Sequence, residues 1–458
     1  MKVIICGAGQ VGWQIARHLS SERNDVTIVD NNAELVSRAS DTLDVTGIAG
    51  NASYPDILAR AGAADADMII AATYSDEVNM VTCQVAHSVF QIPRKIARLR
   101  GQSYLDVIYS DLYQRDHMPI DVVISPEQEV AVQALRQLRS PATFDSEPFM
   151  DGKAELIGLV LDGECHVLNT PLRQLSELFS TLRSTVVAIR REGELMVPER
   201  EEQLLAGDQV YICTNAEDKA RCLEIFGKTN KEQERVIIIG GGNVGLIVAK
   251  SLEEGDRRVH AKVIEADRGC AELIADQLER TIVLHGDGLD MDRLEEANIT
   301  KSDAVLAVTD DDKTNLLACA RAKAVGCPMV VALINDPTLT TLMEPLSIDA
   351  SVNPRATTVS SILRHIRHGR VRAVYSIGDA EAEVIEAQVM SSSPIAGLLI
   401  RDVEWPEGSI IGAIQKNDKV MRPIGNTKIE EGDVVIIFTL ADDVPEVERL
   451  FQVSIDFF

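Results

Sequence analysis

The sequence predicts an α/β fold used twice: two Rossmann-like, doubly wound parallel-sheet domains, each followed by a small α+β domain. Three observations predict it. A glycine-rich turn follows an apolar run at residue 7 and again at residue 240. After each turn, continuous apolar runs alternate with amphipathic stretches, as in parallel sheets covered by helices on both faces. A shorter, turn-punctuated segment then follows, and it too recurs.

The duplication is read directly from the spacing. Lys2–Cys6 followed by Gly7, Gly9 and Gly12 returns as Arg235–Ile239 followed by Gly240, Gly242 and Gly245, 233 residues later. Asp67–Thr73 matches Asp303–Thr309 at a spacing of 236, and Ile124–Glu127 matches Val352–Arg355 at 228. Ala188, Ile189, Met196, Pro198, Gly207 and Asp208 recur without a gap at Ala413, Ile414, Met421, Pro423, Gly432 and Asp433, a spacing of 225 throughout. The expected boundaries are 1–120 and 233–350 for the parallel-sheet domains, 121–142 and 351–370 for linking helices, and 143–228 and 371–453 for the small domains.

Within the first parallel-sheet domain, residues 2–6, 26–30, 45–49, 68–73 and 95–99 read as strands. Each sheet is followed by a helix of about 14 residues that opens on proline, with Ser125 before Pro126 and Asn353 before Pro354 as caps. Val130, Leu135 and Leu138 in one, and Val359, Ile362 and Leu363 in the other, make these helices linkers or interface elements. The small domains carry short β-rich runs between turns and no recurring set of Lys, His and Asp.

Composition narrows the function. The chain holds 71 acidic and 45 basic residues, a net charge of −26, which opposes binding to a phosphate backbone and predicts no nucleic-acid partner. Aromatic residues are only 4%, too few for a base-stacking platform. The longest apolar runs, such as Val434–Phe438, are strand-sized, and the first run ends in a glycine turn rather than a cleavage site. The eight cysteines form no CxxC pair. A soluble, intracellular protein in a reducing compartment is expected.

The Gly-x-Gly-x-x-Gly pattern between a strand and a helix permits a tight turn, close approach of a pyrophosphate and close helix packing. Asp30 and Glu265 end the second strands, where an acid can hydrogen-bond a ribose hydroxyl and repel a 2′-phosphate. NAD is thus favoured over NADP, and neither acid separates NAD from ATP or ADP. Arg98 and Arg100 end the fifth strand, where either can reach phosphates, whereas the second copy has Leu333 and Asn335. Inequivalent sites follow, the first suiting the more highly charged phosphate chain. Thr73–Asn79 and Thr309–Asn315 begin helices and read mainly as caps, with Thr73 and Thr309 also candidates to line the pocket. Asn51 and Asp287 follow the third strands into the same crevice. The candidate set is Gly7, Gly9, Gln10, Val11, Gly12, Asp30, Asn51, Thr73, Arg98 and Arg100 in the first copy. In the second it is Gly240, Gly242, Asn243, Val244, Gly245, Glu265, Asp287 and Thr309. His365 and His368 lack further ligands at metal spacing and read as a solvated basic helix end. No catalytic and no metal-ligating residues are assigned. Two nucleotide modules without an acid–base partner point to sensing rather than turnover.

The order of these motifs resembles the K⁺-transport nucleotide-binding (KTN, or RCK) family over essentially the whole chain. The residues that carry it are Cys6–Gly12, Val29–Asp30, Ser75–Asn79, Ala97–Arg100, Ile124–Glu127, and the Gly-Asp pairs at 207–208 and 432–433. The tandem arrangement is similar to the peripheral subunits of bacterial Trk potassium uptake systems, each unit ending in an RCK-C domain. The resemblance implies a regulatory protein rather than an enzyme. It implies that NAD(H) and ATP or ADP compete for the crevices and that their occupancy reshapes a ring gating a K⁺-translocating membrane subunit. It also implies a homo-oligomer, a tetramer of double-unit chains, peripheral on the cytoplasmic face of the cell membrane. An NAD-dependent dehydrogenase and a free-standing nucleotide sensor are the alternatives.

Overall fold

A computed structural model describes residues 1–451 apart from 22–23, 115–116, 164, 230–232, 256, 367–370 and 379–380. The chain forms two compact units, one of residues 1–132 with 353–366, the other of residues 133–352 with the remainder.

In the first unit the strands are β1 (Lys2–Cys6), β2 (Asp25–Asp30), β3 (Thr46–Ala49), β4 (Met68–Ala71), β5 (Arg94–Arg98) and β6 (Val122–Ile124). They form one parallel sheet in the order β3-β2-β1-β4-β5-β6. Helices α1 (Gln10–Ser21), α2 (Ala33–Thr42), α3 (Pro55–Arg60), α4 (Asp76–Ser88), α5 (Gln102–Leu105) and α6 (Pro126–Arg139) follow in turn. Strands β1 and β4 are buried along most of their length, which is why their sequences are apolar without alternation. The chain leaves β1 to one side and returns at β4 on the other. This reversal opens a crevice at the carboxyl ends of the two strands, where ligands bind in open α/β sheets.

The second unit repeats the sheet with β12 (Arg235–Ile239), β13 (His260–Glu265), β14 (Ile282–His285), β15 (Ala304–Ala307), β16 (Met329–Leu333) and β17 (Ala350–Val352). Their order, β14-β13-β12-β15-β16-β17, is that of the first copy. Helices α9 (Asn243–Glu254), α10 (Arg268–Ala275), α11 (Met291–Glu296) and α12 (Asp312–Ala324) cover it. Two antiparallel sheets complete this unit. One holds β7 (Asp145–Phe149), β8 (Ala154–Val160), β9 (Ser184–Arg191), β10 (Glu194–Met196) and β11 (Gln209–Asn215), with helices α7 (Leu172–Leu178) and α8 (Lys219–Ile225). The other holds β18 (Val371–Ile377), β19 (Ala382–Gln388), β20 (Ser409–Lys416), β21 (Lys419–Met421) and β22 (Val434–Leu440), with helix α14 (Val444–Phe451). They pack on each other through one core, in which Phe149, Leu156 and Tyr211 meet Val384, Ile436 and Phe438.

The sequence reading is met in its parallel and antiparallel layers and in its duplication. The sixth strands were not anticipated. Val122–Ile124 and Ala350–Val352 are three-residue edge strands that merge into the Pro-initiated helices, too short for a periodicity to show. The fourth strand stops at Ala71, because Ala72 and Thr73 turn away to form the crevice wall. Helix α13 (Pro354–Ile366) packs within the first unit. Val359, Ile362 and Leu363 share a core with Val11, Ile15 and Leu19 of α1, and Ser361 donates to Glu129 at 3.1 Å. Of the basic helix end, residues 367–370 with His368 lie outside the described residues. No helix among the described residues is long and apolar enough to cross a membrane.

The α1–α13 contact is apolar and closed, with Leu363 fully buried. Leu363→Ala is expected to lower the stability of the first unit by about 2–5 kcal/mol, the cost of truncating a buried leucine. Urea unfolding followed by near-ultraviolet absorption of Trp13 measures it.

Candidate functional site

Each crevice is built on a turn that only glycine can make. Gly7 has a φ of +112° and Gly240 one of +104°, in the left-handed half of conformational space that side chains disfavour. A Cβ on Gly12 would lie 1.8 Å from the Gly7 carbonyl oxygen, and one on Gly245 would lie 2.0 Å from that of Gly240. The third glycine therefore lets the helix press against the turn before it. Gly9 and Gly242 differ: a Cβ there would meet nothing within 4 Å. These two glycines keep the floor of the crevice bare, so that a ligand can lie on backbone rather than on side chain.

The helices that begin here carry no acidic residue in their first turn, and Gly242 offers no side-chain cap. Helix N-termini present unsatisfied N–H groups and a partial positive charge. Gln10 and Asn243 are exposed beside them, whereas Val11 is buried and Val244 half-buried. Val11 packs in the core beneath the sheet of the first unit.

The acids of the second strands close onto the glycine turns. Asp30 accepts from the backbone N–H of Ala8 at 2.6 Å and of Asn32 at 2.8 Å. Glu265 repeats this with Gly241 at 2.6 Å and Asp267 at 2.7 Å. Each carboxylate oxygen accepts one bond and keeps a lone pair, so the acid can position the turn and still receive a hydroxyl. Asn51 and Asp287 stand next to these acids. Their Oδ1 atoms cap the following turns, accepting from Ser53 at 3.0 Å and from Leu289 at 2.8 Å.

The far walls are held by a fully buried asparagine in each copy. Asn79 Oδ1 accepts from Thr73 N and Oγ1, at 2.9 and 2.6 Å, and its Nδ2 donates to the carbonyls of Thr73 and Arg98. Asn315 makes the same four bonds, to Thr309 N, Oγ1 and O and to the carbonyl of Leu333. Asp76 then accepts from the N–H groups of Arg100 and Gly101, and Asp312 from those of Asn335 and Asp336. The sequence reading saw caps here, and Ser75 and Asp311 do cap, accepting from Val78 and Thr314. It missed that the neighbouring acids and asparagines tie the fourth strand, its helix and the fifth strand together. The signal was present in the recurrence of Asp76 and Asn79 as Asp312 and Asn315.

The two arginines of the first copy have different roles. Arg100 pairs with Glu127 at 2.8 Å and lies over the ring of Tyr74, so its guanidinium is engaged, and the hydrogen bond to Glu127 raises its pKa. Arg98 is desolvated, which lowers its pKa, and the nearby Arg100 lowers it further, against the opposing pull of the Glu127 and Asp76 carboxylates. Its Nε is buried without a hydrogen-bond partner. A buried donor left unsatisfied costs about 1–3 kcal/mol, a cost that an anion in this crevice would remove. A bare glycine floor at a helix start, an acid with spare lone pairs and an arginine with an unbonded buried Nε together fit a ribose joined to phosphate. In the second copy Leu333 and Asn335 supply no charge at the corresponding edge. Among the described residues no three His, Cys, Asp or Glu side chains group to hold a metal ion.

The TrkA-N domain family matches residues 3–126 and 236–354, and the TrkA-C domain family matches 156–227 and 384–452. The chain is 47% identical to the Trk system potassium uptake protein TrkA of Azorhizobium caulinodans, over 100% of both chains. It is 36% identical to the protein of that name from Halomonas elongata, again over 100% of both. Among solved structures it resembles the GsuK channel bound to NAD, at a TM-score of 0.59 and 19% identity, covering 98% of this chain and 78% of that one.

The asparagine buckles set the rigidity of the crevice walls. Asn79→Ala leaves the Thr73 N–H and hydroxyl and two carbonyls without their partner. Hydrogen exchange at residues 73–79 and 98–101 is expected to rise at least tenfold, corresponding to ~1.4 kcal/mol or more of local stability. Asn315→Ala is expected to do the same at 309–315 and 333–336.

Proposed function

The chain belongs to the TrkA family, and on that premise we propose that it is the regulatory subunit of a potassium uptake system that reads nucleotides in its two parallel-sheet crevices. NAD(H) and ATP or ADP are the proposed ligands, bound as effectors rather than consumed as reactants. The observation that carries this reading is the pairing, in the first copy, of a glycine turn whose Gly9 floor is open with an arginine at the end of β5, Arg98, whose buried Nε has no hydrogen-bond partner. Support comes from the names of the curated relatives and from the NAD bound to the GsuK channel.

In this reading Gly7, Gly9 and the Gln10 N–H carry the phosphates, Asp30 takes the adenosine ribose, and Asn51 and Thr73 line its sides. Arg98 supplies the charge. Gly240, Gly242, Asn243, Glu265, Asp287 and Thr309 repeat the set without a cation. The first crevice is therefore the one suited to a polyphosphate, and the second to a ligand of lower charge. Residues 1–120 and 233–350 act as the ligand modules, and 143–228 and 371–453 as the small domains that transmit occupancy. Four chains form a ring on the cytoplasmic face of a K⁺-translocating membrane subunit. A ligand moves such a ring only by binding one arrangement more tightly, with couplings of about 1–3 kcal/mol.

The test is K⁺ flux into vesicles holding a Trk-type membrane subunit, with this protein added outside a cytoplasm-out preparation. Flux is expected to depend on nucleotide only when the protein is present. Arg98→Gln is expected to weaken ATP binding at the first crevice about tenfold or more, through loss of a charge-assisted bond, and to shift the nucleotide dependence of flux equally. Flux indifferent to protein and nucleotide alike defeats the proposal.

A further inference from the structure

The core shared by the two antiparallel sheets is not uniformly apolar. Side chains alternate across a strand, and on β7 the residues on the side of Phe149 are Asp145 and Glu147. On β18 the side of Ala373 and Ile377 carries Tyr375, and on β19 the side of Ala382 and Val384 carries Glu386. Three strands thus bring acids and a tyrosine into one apolar contact. Tyr375 donates its hydroxyl to Asp145 at 2.7 Å, from one small domain to the other. Glu386, buried, accepts from the backbone N–H of Met150 at 2.6 Å, in the opposite sense.

The second bond holds an unusual piece of backbone. Met150, Asp151 and Gly152 all have positive φ, at 52°, 56° and 82°. Two consecutive non-glycine residues in this region are strained and persist only where surroundings enforce them. The Glu386 carboxylate caps the first N–H of this turn, so the conformation of one small domain is pinned by an acid of the other.

We propose that this contact is a proton-sensitive clasp: Asp145 and Glu386, each hydrogen-bonded across the domain boundary, pair the two small domains more tightly as the medium acidifies. The charged surroundings agree. Asp145 faces Tyr375, Arg136 and, through the two tyrosines, Glu147, with Tyr211 beside Arg190 and Glu381. Arg136 is already paired with Glu147, and Arg190 with Glu381. Glu386 faces Arg372, which bonds Gln388, and Asp151. Glu383 points to the other face of β19. Desolvation lifts the Asp145 carboxyl to about 6 despite the bonds from Tyr375 and Ser146, and desolvation also raises Glu386. Both acids then hold a proton more firmly when the domains are paired than when they are apart. Proton binding favours pairing, and the gain is lost as pH rises through about 6. Protonation leaves both bonds in place, since each donor keeps one carboxyl oxygen and the proton takes the other.

Hydrogen exchange of the full-length protein tests this, read on segments 145–152 and 382–388 and corrected for intrinsic rates. The opening constant is expected to fall about tenfold between pH 7.5 and 5.0. Asp145→Asn with Glu386→Gln, neutral at every pH, is expected to flatten the profile. Tyr375→Phe removes a bond that favours the charged form, so its midpoint is expected to move upward. Should the double variant fail to fold, the conservative tyrosine variant and a carbon-13 titration of the wild-type carboxyls decide. A flat wild-type profile, an unshifted tyrosine variant or ordinary carboxyl titrations overturn the clasp.

Discussion

The fit of a helix against the turn that precedes it governs both crevices. A Cβ at Gly12 would stand 1.8 Å from a carbonyl oxygen, far inside any contact distance, so the position admits no side chain without moving the helix. From that closeness the rest follows. The helix starts at the crevice, the acid at the end of the second strand can reach the turn, and Gly9 is left as open floor. The apolar contact of α1 with α13 then fixes the other side of the same helix. In the proposed reading, a ligand at the helix start presses on an element that is packed against α13.

Duplication separates what the fold requires from what a site requires. Both copies keep the glycine geometry, the acid on the turn, the four-bond asparagine buckle and the aspartate that grips the fifth strand. These maintain a crevice of defined shape. The edge charge is not kept, since Arg98 and Arg100 become Leu333 and Asn335 while the backbone bonds around them persist. Shape was conserved and charge was allowed to diverge. Divergence of that kind is expected of two sites that read ligands of different charge.

Much of this was legible in the sequence. The glycine turns after apolar runs and the continuous apolar strands that follow point to parallel sheets, while the strand order is seen only in the structure. Asp30 and Glu265 were placed correctly at the ends of their strands. What was not legible depended on contacts distant in sequence. The partner of α13 is an α1 side chain more than three hundred residues earlier, and no local pattern names it. Arg98 and Arg100 look alike in sequence, and only the hydrogen bond to Glu127, 27 residues beyond Arg100, separates Arg100 from Arg98, whose Nε is left without a partner. The edge strands at Val122 and Ala350 were lost because three residues give no period.

The central claim is that one chain carries two nucleotide crevices of common shape and unequal charge. Native mass spectrometry of the protein titrated with NADH, then with ATP, tests it most directly. The account predicts two NADH per chain at saturation, and ATP displacing one of them well before the other. A single bound nucleotide per chain, or displacement of both at the same ATP concentration, would contradict it.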